Sequence, residues 1–450
     1  MEHLHAAQAL TAEGWVADMR LSIADGRIKA LELGRPAQPG DDRHAILLPG
    51  VGNLHSHAFQ RGMAGLAERR GSDSFWGWRE VMYRFARAIA PEQMEAVAAM
   101  AYVEMLEAGF TRVGEFHYLH HDVDGRPYAD LAEMAGRIAA ATAHAGIGLT
   151  LLPVFYARGG FGGVPATDGQ RRFLNGVESY SKLIEASRRT VRDLATAVVG
   201  VAPHSLRAVT SDELSAVVAM AGAGPIHIHV AEQMKEVEEC LGWSGRRPVE
   251  WLMDHTQVDA RWCLIHATHM SGDETRRLAK ARAVAGLCPI TEANLGDGIF
   301  NAVEFTAGGG AFGVGTDSNV AISLADELRQ LEYSQRLNHQ ARNVIGSTTA
   351  STGRVLFDAA MAGGARALGV SGAGIAIGAP ADFISLDADH LTLAGRSGDQ
   401  CLDAWIFTGA RGLVDCVWVA GRKLVEGGRH QDREAIGERF RAAMVALAQG

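Results

Sequence analysis

Apolar runs of five to eight residues alternate with helix-period segments through the middle of the chain. The runs typical of buried strands are residues 47–54, 112–116, 148–155, 197–202, 225–230, 262–267, 284–289 and 311–316. Segments with helical spacing of apolar residues lie between them, among them residues 92–107, 129–145, 212–221 and 274–281. Eight such alternations predict an α/β fold in which parallel strands and their helices close into a (β/α)8 TIM-like barrel.

A doubly wound open sheet is the alternative architecture for this pattern. It predicts the sequence Gly-x-Gly-x-x-Gly directly after the first strand, and the chain does not have it there. The three consecutive glycines at residues 308–310 come before a strand-like run. We therefore interpret them as a turn, and the barrel remains the favoured fold.

The two ends of the chain carry a different pattern, of short alternating strands and tight turns. Strand-like segments are residues 19–23, 27–31, 383–386, 417–420 and 423–426. Between the first two lies Asp25-Gly26, a dipeptide typical of a hairpin turn. We expect residues 1–47 and 371–450 to form one small β-sandwich domain with a C-terminal helix, and residues 48–370 to form the barrel.

Composition and charge exclude several classes of protein. The 450 residues are 47% hydrophobic and 21% charged, which is typical of a globular chain and not of a disordered or fibrous one. A net charge of −9 argues against nucleic acid or an anionic membrane as partner, because both require a basic face. No apolar run approaches the ~18–20 residues of a membrane span. Residues 1–5 lack the order of a signal peptide, and the five scattered cysteines indicate no disulfide framework. We expect a cytoplasmic protein.

Histidines recur where the predicted strands end. His55 and His57 follow the first barrel strand, and positions i and i+2 of a strand share a face, so both imidazoles can point at one ion. Two polar loop histidines would show the same spacing. However, His229 closes the fifth strand, His266 closes the sixth, and Asp317 follows the eighth. These ends converge on one face of a barrel, where three histidines, an aspartate and an open position suit a catalytic zinc.

Two of these choices have a neighbouring histidine as the alternative. His227 and His229 share a face of the fifth strand, and we prefer His229 because it lies nearer the carboxyl end, three residues before Glu232. On the sixth strand we prefer His266, because it ends the apolar run, over His269, which we expect on the following loop.

These residues together resemble the amidohydrolase superfamily, in its mononuclear deaminase branch, and the resemblance covers nearly the whole chain. It implies one divalent ion per chain, zinc with iron as the alternative, held by His55, His57, His229 and Asp317. The binuclear branch carries a lysine late in the fourth strand, and residues 200–207 contain none. The Pro-Cys-x-x-Cys signature of zinc cytidine deaminases is also absent from the sequence.

Four motifs at four strand ends narrow the resemblance to one group of members within the superfamily. They are FWGWRE at residues 75–80, EFHYLHH at 115–121, HSLR at 204–207 and TEANLGDG at 291–298. They are similar to motifs of the superfamily members that hydrolyse N-formimino-L-glutamate in histidine degradation. The last motif replaces the Ser-Asn of purine and triazine relatives. Asn319 departs from the pattern, because a histidine is expected at that position.

The resemblance implies a small dicarboxylate substrate, and an acidic protein must supply local cations to bind it. Arg79, expected on the long loop after the first strand, and Arg207, at the end of the fourth, suit bidentate carboxylate binding. Tyr118 can donate a hydrogen bond, and Gln60 and His204 are further candidate substrate contacts. For Arg79 the alternative is an ion pair with the glutamate that follows it.

The resemblance also implies the reaction. Metal-bound hydroxide attacks the formimino carbon, Glu232 carries a proton to the nitrogen, and either His266 or Asp317 takes the proton of the water. Ammonia leaves, N-formyl-L-glutamate remains, and we expect the enzyme to be a homodimer. Two alternatives stay open. A hydrolase of aminopurines or triazines predicts an aromatic, neutral pocket, whereas a catalytically inactive barrel predicts the loss of a ligand or of Glu232.

Overall fold

The computed structural model describes residues 2–68 and 74–449, with only the backbone described for residues 74–76. Strands from both ends of the chain form one sheet. They are β1 (Glu2–Thr11), β2 (Gly14–Ala24), β3 (Arg27–Glu32), β4 (Asp42–Pro49), β14 (Phe383–Leu386), β15 (Val414–Val419), β16 (Arg422–Glu426) and β17 (Arg429–His430). The strand order is β17-β16-β15-β14-β4-β1-β2-β3. The composite terminal sheet is therefore present, with β4 and β14 as the antiparallel junction between the two ends of the chain.

The middle of the chain forms the parallel barrel. Its strands are β5 (Val51–Ser56), β6 (Phe110–His117), β7 (Gly148–Phe155), β8 (Val198–Val199), β9 (Ala202–Pro203), β10 (Ile226–Val230), β11 (Trp262–His266), β12 (Val284–Leu287) and β13 (Ala311–Val314). Strands β5 to β8 pair in sequence, as do β10 to β13. Parallel bridges from Val201 to Ile226 and from Ser56 to Asp317 join the two groups. The predicted (β/α)8 barrel is confirmed, with β8 and β9 together in the fourth strand position.

Helices cover the barrel and the terminal sheet. They are α1 (Ser74–Ala88), α2 (Pro91–Glu107), α3 (Glu133–Ala145), α4 (Val177–Thr190), α5 (Ser211–Met220), α6 (Met234–Ser244), α7 (Pro248–His255), α8 (Gly272–Ala281), α9 (Pro289–Leu295), α10 (Ala302–Ala307), α11 (Leu324–His339), α12 (Thr352–Ala367), α13 (Asp399–Phe407) and α14 (Arg433–Gln449). Local sequence explains their starts: Thr210 and Ser271 cap α5 and α8 through capping boxes. Within the described residues, no helix combines the length and apolarity needed to cross a membrane.

Two boundaries differ from the sequence-based expectation. The single strand predicted at residues 47–54 is wrong, because β4 pairs in the terminal sheet whereas β5 pairs with β6 in the barrel. The chain changes sheet at Gly50, where a Cβ would lie 2.5 Å from the Thr111 Oγ1 atom, so glycine is required. The helix predicted from residue 129 begins at Glu133. The division of domains at residues 47 and 370 stays a prediction.

The terminal sheet packs against the barrel through one of its faces. Along β4, Ile46 and Leu48 belong to the main core that includes the barrel, whereas Leu47 points into a second, smaller core on the other face. This alternation follows from the two-residue period of a strand. The C-terminal helix α14 lies against α2, and Arg439 forms an ion pair with Glu95 there, with an N–O distance of 2.6 Å.

Candidate active site

The carboxyl ends of β5, β10 and β13 bring the four predicted metal ligands together. One nitrogen each of His55, His57 and His229 and one oxygen of Asp317 lie within 4.8 Å of one another, and all four residues are buried. The Nε2 atoms of His55 and His229 are 3.0 Å apart. The Oδ1 atom of Asp317 is 3.4 Å from His55 Nε2 and 3.3 Å from His57 Nε2.

Hydrogen bonds show that two of the imidazoles turn the lone pair of their Nε2 atom towards the cluster. His57 Nδ1 donates to the carbonyl of Phe116 at 2.9 Å, and His229 Nδ1 donates to the carbonyl of His204 at 3.1 Å. Their Nε2 atoms therefore accept rather than donate. The His57 Nε2 lone pair then lies 3.3 Å from the Asp317 Oδ1 atom, and two acceptors this close repel each other unless a cation lies between them. A tetrahedral ion with bonds of ~2.0 Å has ligand–ligand edges of about 3.3 Å, which matches the observed spacing.

The charge state of the cluster also fits a metal. Burial lowers the pKa of His55 to about 3 and holds the pKa of His229 well below its ordinary value. Burial opposes ionisation of Asp317, but the neighbouring His55 and His57 hold the pKa of this carboxyl below its usual range. Neutral imidazoles and an ionised carboxylate are the forms that bind a divalent ion.

His227 has a different role from His229. Its Nε2 donates to the carbonyl of Ala367, the last residue of α12, at 2.7 Å. This bond directs the His227 ring towards α12 and away from the four-ligand cluster. The structure thus groups His229, and not His227, with His55 and His57.

Next to the metal cluster lies a group of acidic residues around His266. Its Nε2 is 3.7 Å from Glu232 Oε1 and 3.9 Å from Asp317 Oδ2, and its Nδ1 is 3.3 Å from Glu292 Oε1. Burial lowers the pKa of His266, but the three carboxylates outweigh it and raise the pKa to about 10. His269 lies apart from this group, because its Nε2 donates to the backbone carbonyl of Asp297 at 2.8 Å.

A cavity of about 160 Å³ opens above the cluster. Its lining includes all five residues predicted to contact substrate, which are Gln60, Arg79, Tyr118, His204 and Arg207, together with Glu232, His266 and Asp317. The expectation that Arg79 lies on a loop is wrong, because it lies on α1 and its Nε donates to the Tyr83 hydroxyl at 2.8 Å. The side chains of the first two residues of the 75–80 motif lie outside the described part.

Arg207 presents donors that the protein leaves largely unused. Its side chain is 18% exposed, and its Nη2 lies 3.9 Å from Glu236 Oε2, too far for a hydrogen bond. Its Nε is buried without a hydrogen-bond partner among the described residues. Burial lowers the pKa of Arg207, but Glu236 and neighbouring anionic groups outweigh it and raise the pKa. The guanidinium is therefore a charged group at the cavity wall with donors available to an anion.

Gln60 and Tyr118 form a second pair of polar groups in the cavity. The Gln60 Nε2 atom donates to the Tyr118 hydroxyl oxygen at 2.8 Å. The Gln60 Oε1 atom is buried and has no hydrogen-bond partner within the described residues. The Tyr118 hydroxyl donates to the Met82 Sδ atom at 3.7 Å, and a thioether is a weak acceptor. The pair can therefore offer a carbonyl acceptor to a bound molecule, and a phenol donor in exchange for this weak contact.

Comparison with known proteins identifies the family. Residues 46–424 match the model of the amidohydrolase family. The chain belongs to the amidohydrolase family. Residues 1–45 match a second model, described as the N-terminal domain of formimidoylglutamate deiminase HutF.

Three relatives are similar to this amidohydrolase over nearly its whole length. It is 49% identical to a formimidoylglutamate deiminase of Pseudomonas aeruginosa, with 98% of each chain covered. It is 30% identical to an 8-oxoguanine deaminase of the same organism, over 98% of this chain and 97% of the relative. A crystal structure of an amidohydrolase from Brucella melitensis superposes with a TM-score of 0.98, 60% identity and full coverage of both chains. Membership of the family implies a divalent metal, and the four-ligand cluster is where this amidohydrolase can hold it.

Two acidic residues of this amidohydrolase were given no role by the sequence pattern. Glu292 lies on α9, where its Oε1 accepts from the Cys288 backbone N–H at 2.9 Å and faces His266. Glu236, on α6, accepts from the backbone N–H groups of Ala231 at 3.1 Å and Glu232 at 3.3 Å. Glu292 stood within a recognised motif, and Glu236 had only its position four residues after Glu232 as a signal.

The unexpected Asn319 has a clear place in the barrel. Its Nδ2 donates to Ser56 Oγ and to the carbonyl of His57, both at 3.1 Å. Its Oδ1 accepts from Thr316 Oγ1 at 2.6 Å, and the same oxygen of Thr316 accepts from Asn53 Nδ2 at 2.7 Å. This buried network joins β5 to β13 at the seam where the barrel closes, directly behind the four predicted metal ligands.

Proposed function

We propose that this chain hydrolyses N-formimino-L-glutamate to N-formyl-L-glutamate and ammonia, a step of histidine degradation. The observation that carries the proposal is one cavity with a metal-binding cluster at its floor and two guanidinium groups, of Arg79 and Arg207, in its wall. A linear amidine with two carboxylates requires both features. The 49% identity to a formimidoylglutamate deiminase supports the same conclusion.

The metal in this proposal is one zinc ion, with iron as the alternative, held by His55, His57, His229 and Asp317. Three nitrogen donors and one carboxylate oxygen at these separations suit a tetrahedral site. When bound, such an ion lowers the pKa of a water molecule so that hydroxide is present near neutral pH.

Proton transfer is assigned to Glu232 with His266 and Asp317 beside it. Glu232 lines the cavity with a side chain that is 12% exposed, and its Oε1 faces His266 Nε2. Burial raises the pKa of Glu232, which favours a group that picks up a proton and delivers it to the leaving nitrogen. His266 or Asp317 takes the first proton from the attacking water.

Substrate binding is assigned to the far end of the cavity. Arg207 and Arg79 bind the two carboxylates, and Tyr118 and His204 add polar contacts to them. The Oε1 atom of Gln60, which has no partner among the residues that the structure describes, accepts from the formimino group. A purine or triazine has no carboxylate to accept from Arg207, whose Nε is buried without a hydrogen-bond partner among the described residues.

The experiment that tests the proposal compares ammonia release from N-formimino-L-glutamate, N-formimino-L-aspartate and guanine under the same conditions. We expect the glutamate compound to be hydrolysed fastest and guanine not at all. Faster turnover of guanine would overturn the assignment and favour a purine deaminase, in line with the more distant 8-oxoguanine relative.

We further propose that the enzyme is a cytoplasmic homodimer. The five cysteines are all buried and unpaired, which suits a reducing compartment. Sedimentation equilibrium of the metal-loaded protein tests the assembly, and a mass of one chain at micromolar concentration would contradict it.

A further inference from the structure

Tyr156 lies in the cavity wall, and neither the sequence motifs nor the proposed function gives it a role. It directly follows β7 and is 5% exposed. Its ring centroid is 4.6 Å from that of His204, and both residues line the cavity with Arg79 and Arg207. A phenol in this position touches the region assigned to the substrate carboxylates.

The direction of the Tyr156 hydrogen bond follows from its neighbours. The backbone N–H of Thr167 donates to Gln170 Oε1 at 2.7 Å, and a backbone N–H can only donate. The other end of the Gln170 amide is therefore its NH2 group, and it donates to the Tyr156 hydroxyl oxygen at 2.6 Å. Tyr156 accepts this bond and keeps its own O–H free to donate.

The surroundings of Tyr156 favour an anionic acceptor for that proton. Within residues 2–68 and 77–449, no side-chain or backbone oxygen accepts from the Tyr156 hydroxyl. Burial raises the pKa of Tyr156 to about 12, although Arg79 and Arg207 act in the opposite direction. The phenol thus stays protonated, and it shares the cavity wall with two cations that attract a carboxylate.

We propose that Tyr156, oriented by Gln170, donates a hydrogen bond to a carboxylate of the substrate and so helps to select a dicarboxylate over a neutral amidine. This inference rests on the proposed function, because it assumes a carboxylated substrate. Tyr156 makes the contact, and Gln170 is a positioning residue that directs the hydroxyl proton into the cavity.

The test measures KM and kcat for N-formimino-L-glutamate and for N-propylformamidine, which has no carboxylate. Calorimetry on the metal-loaded protein also measures the Kd of glutarate. A hydrogen bond to a charged group predicts that Tyr156→Phe raises KM and the glutarate Kd by about 10- to 100-fold. We expect kcat/KM for N-propylformamidine to stay within about twofold, since that compound offers no carboxylate to lose.

Gln170→Glu sharpens the test because it keeps the size of the side chain and the phenol. The new carboxylate can accept from both Thr167 and Tyr156, so the hydroxyl proton turns away from the cavity. We expect a rise in glutarate Kd comparable to that of Tyr156→Phe. The control is Tyr180→Phe, because Tyr180 is also a buried phenol but donates to the carbonyl of Pro153 at 2.7 Å, outside the cavity lining. It should lower stability and leave KM and the glutarate Kd unchanged.

Several outcomes would overturn the role of Tyr156. These are an unchanged glutarate Kd in Tyr156→Phe, equal losses on both amidines, or no binding of glutarate to the parent protein. If the parent protein binds glutarate but does not hydrolyse N-formimino-L-glutamate, the proposed function fails. The glutarate Kd of Tyr156→Phe then still decides whether Tyr156 binds a carboxylate.

Discussion

The two ends of the active-site cavity are built in different ways. At the metal end, His55 and His229 lie on barrel strands, His57 directly follows one, and Asp317 lies three residues beyond another. At the carboxylate end, the side chains come from α1 and from segments that follow β6, β7 and β9. Strand register dictates the first arrangement, whereas the second depends on how separate segments meet.

The hydrogen bonds differ in the same way. Two imidazoles of the four-ligand cluster are oriented by backbone carbonyls, whose positions the barrel itself determines. At the other end, side chains orient side chains, as in the pairs Gln60–Tyr118 and Gln170–Tyr156. Backbone-held groups should tolerate changes nearby, while side-chain pairs should be sensitive to a single substitution. The metal end therefore serves the shared chemistry, and the carboxylate end can vary to determine the substrate.

The largest expected effect comes from breaking the metal end. We expect His229→Gln to lose its bound ion and all measurable turnover, because one of four ligands is removed. Elemental analysis measures the ion, with about one per chain expected in the parent protein. The matched control is His227→Gln, two residues earlier on β10, whose new amide can still donate to the Ala367 carbonyl. Equal metal loss in both variants, or two ions per parent chain, would contradict the assignment.

Removal of the ion should also reduce stability. A ligand present at 1,000 times its Kd adds about 4 kcal/mol to the free energy of unfolding. Treatment with a chelator should therefore lower the melting temperature of the parent protein and leave that of His229→Gln unchanged. A parent protein whose melting temperature does not respond to the chelator would exclude a tightly bound ion at this cluster.

The next largest effect is expected at Glu232, which lies between the two ends. Glu232→Gln keeps the shape of the side chain but cannot transfer a proton. We expect normal metal content and a loss of kcat of ~10²–10⁴-fold, which is the contribution of general acid–base catalysis. Pre-steady-state and steady-state ammonia release measure this effect. Near-normal turnover would show that another group carries the proton.

The same contrast explains what could be predicted from the sequence. The barrel and the grouping of His55, His57, His229 and Asp317 follow from strand ends, because all parallel strands of a barrel finish on one face. The position of Arg79 on a helix, the Glu236 contacts and the direction of the Tyr156 hydroxyl depend on contacts between residues far apart in the chain. A linear pattern carries no signal for such contacts. The sequence already showed Asn319 as a departure from the family pattern. Its role became apparent only from its hydrogen bonds across the seam between β5 and β13.

At the carboxylate end, Arg207→Met is expected to act on substrate binding. Loss of a charge-assisted pair in a desolvated site costs on the order of 2–5 kcal/mol, or roughly 30- to several-thousand-fold in kcat/KM. Arg79→Met should have a smaller effect, since its Nε is already engaged with Tyr83. Measurement of kcat/KM on N-formimino-L-glutamate and on N-propylformamidine distinguishes loss of a carboxylate contact from general damage to the structure. Equal losses on both compounds would indicate structural damage and not the loss of a carboxylate contact.

The smallest effect concerns Glu236, where the two ends are connected. Its buried carboxylate accepts from the backbone of Ala231 and Glu232 and lies 3.9 Å from Arg207. Ala231 has a φ of 58°, so this turn needs external support. Glu236→Gln replaces one acceptor oxygen by a donor that faces backbone N–H groups and a guanidinium. A mismatched buried donor costs about 1–3 kcal/mol. We expect part of this cost to distort the turn at Ala231 and part to displace the Arg207 guanidinium.

We therefore expect Glu236→Gln to lower kcat and to raise KM together, each by about three- to tenfold. Arg207→Met should change KM for the carboxylated substrate with little effect on the slow turnover of N-propylformamidine, and Glu232→Gln should change kcat alone. Glu239→Gln is the control, because Glu239 lies on the same helix and lines the cavity but is exposed. If Glu236→Gln changed only kcat or only KM, the metal end and the carboxylate end would be independent. Glu236 would then support only Glu232 if kcat changed, or only Arg207 if KM changed.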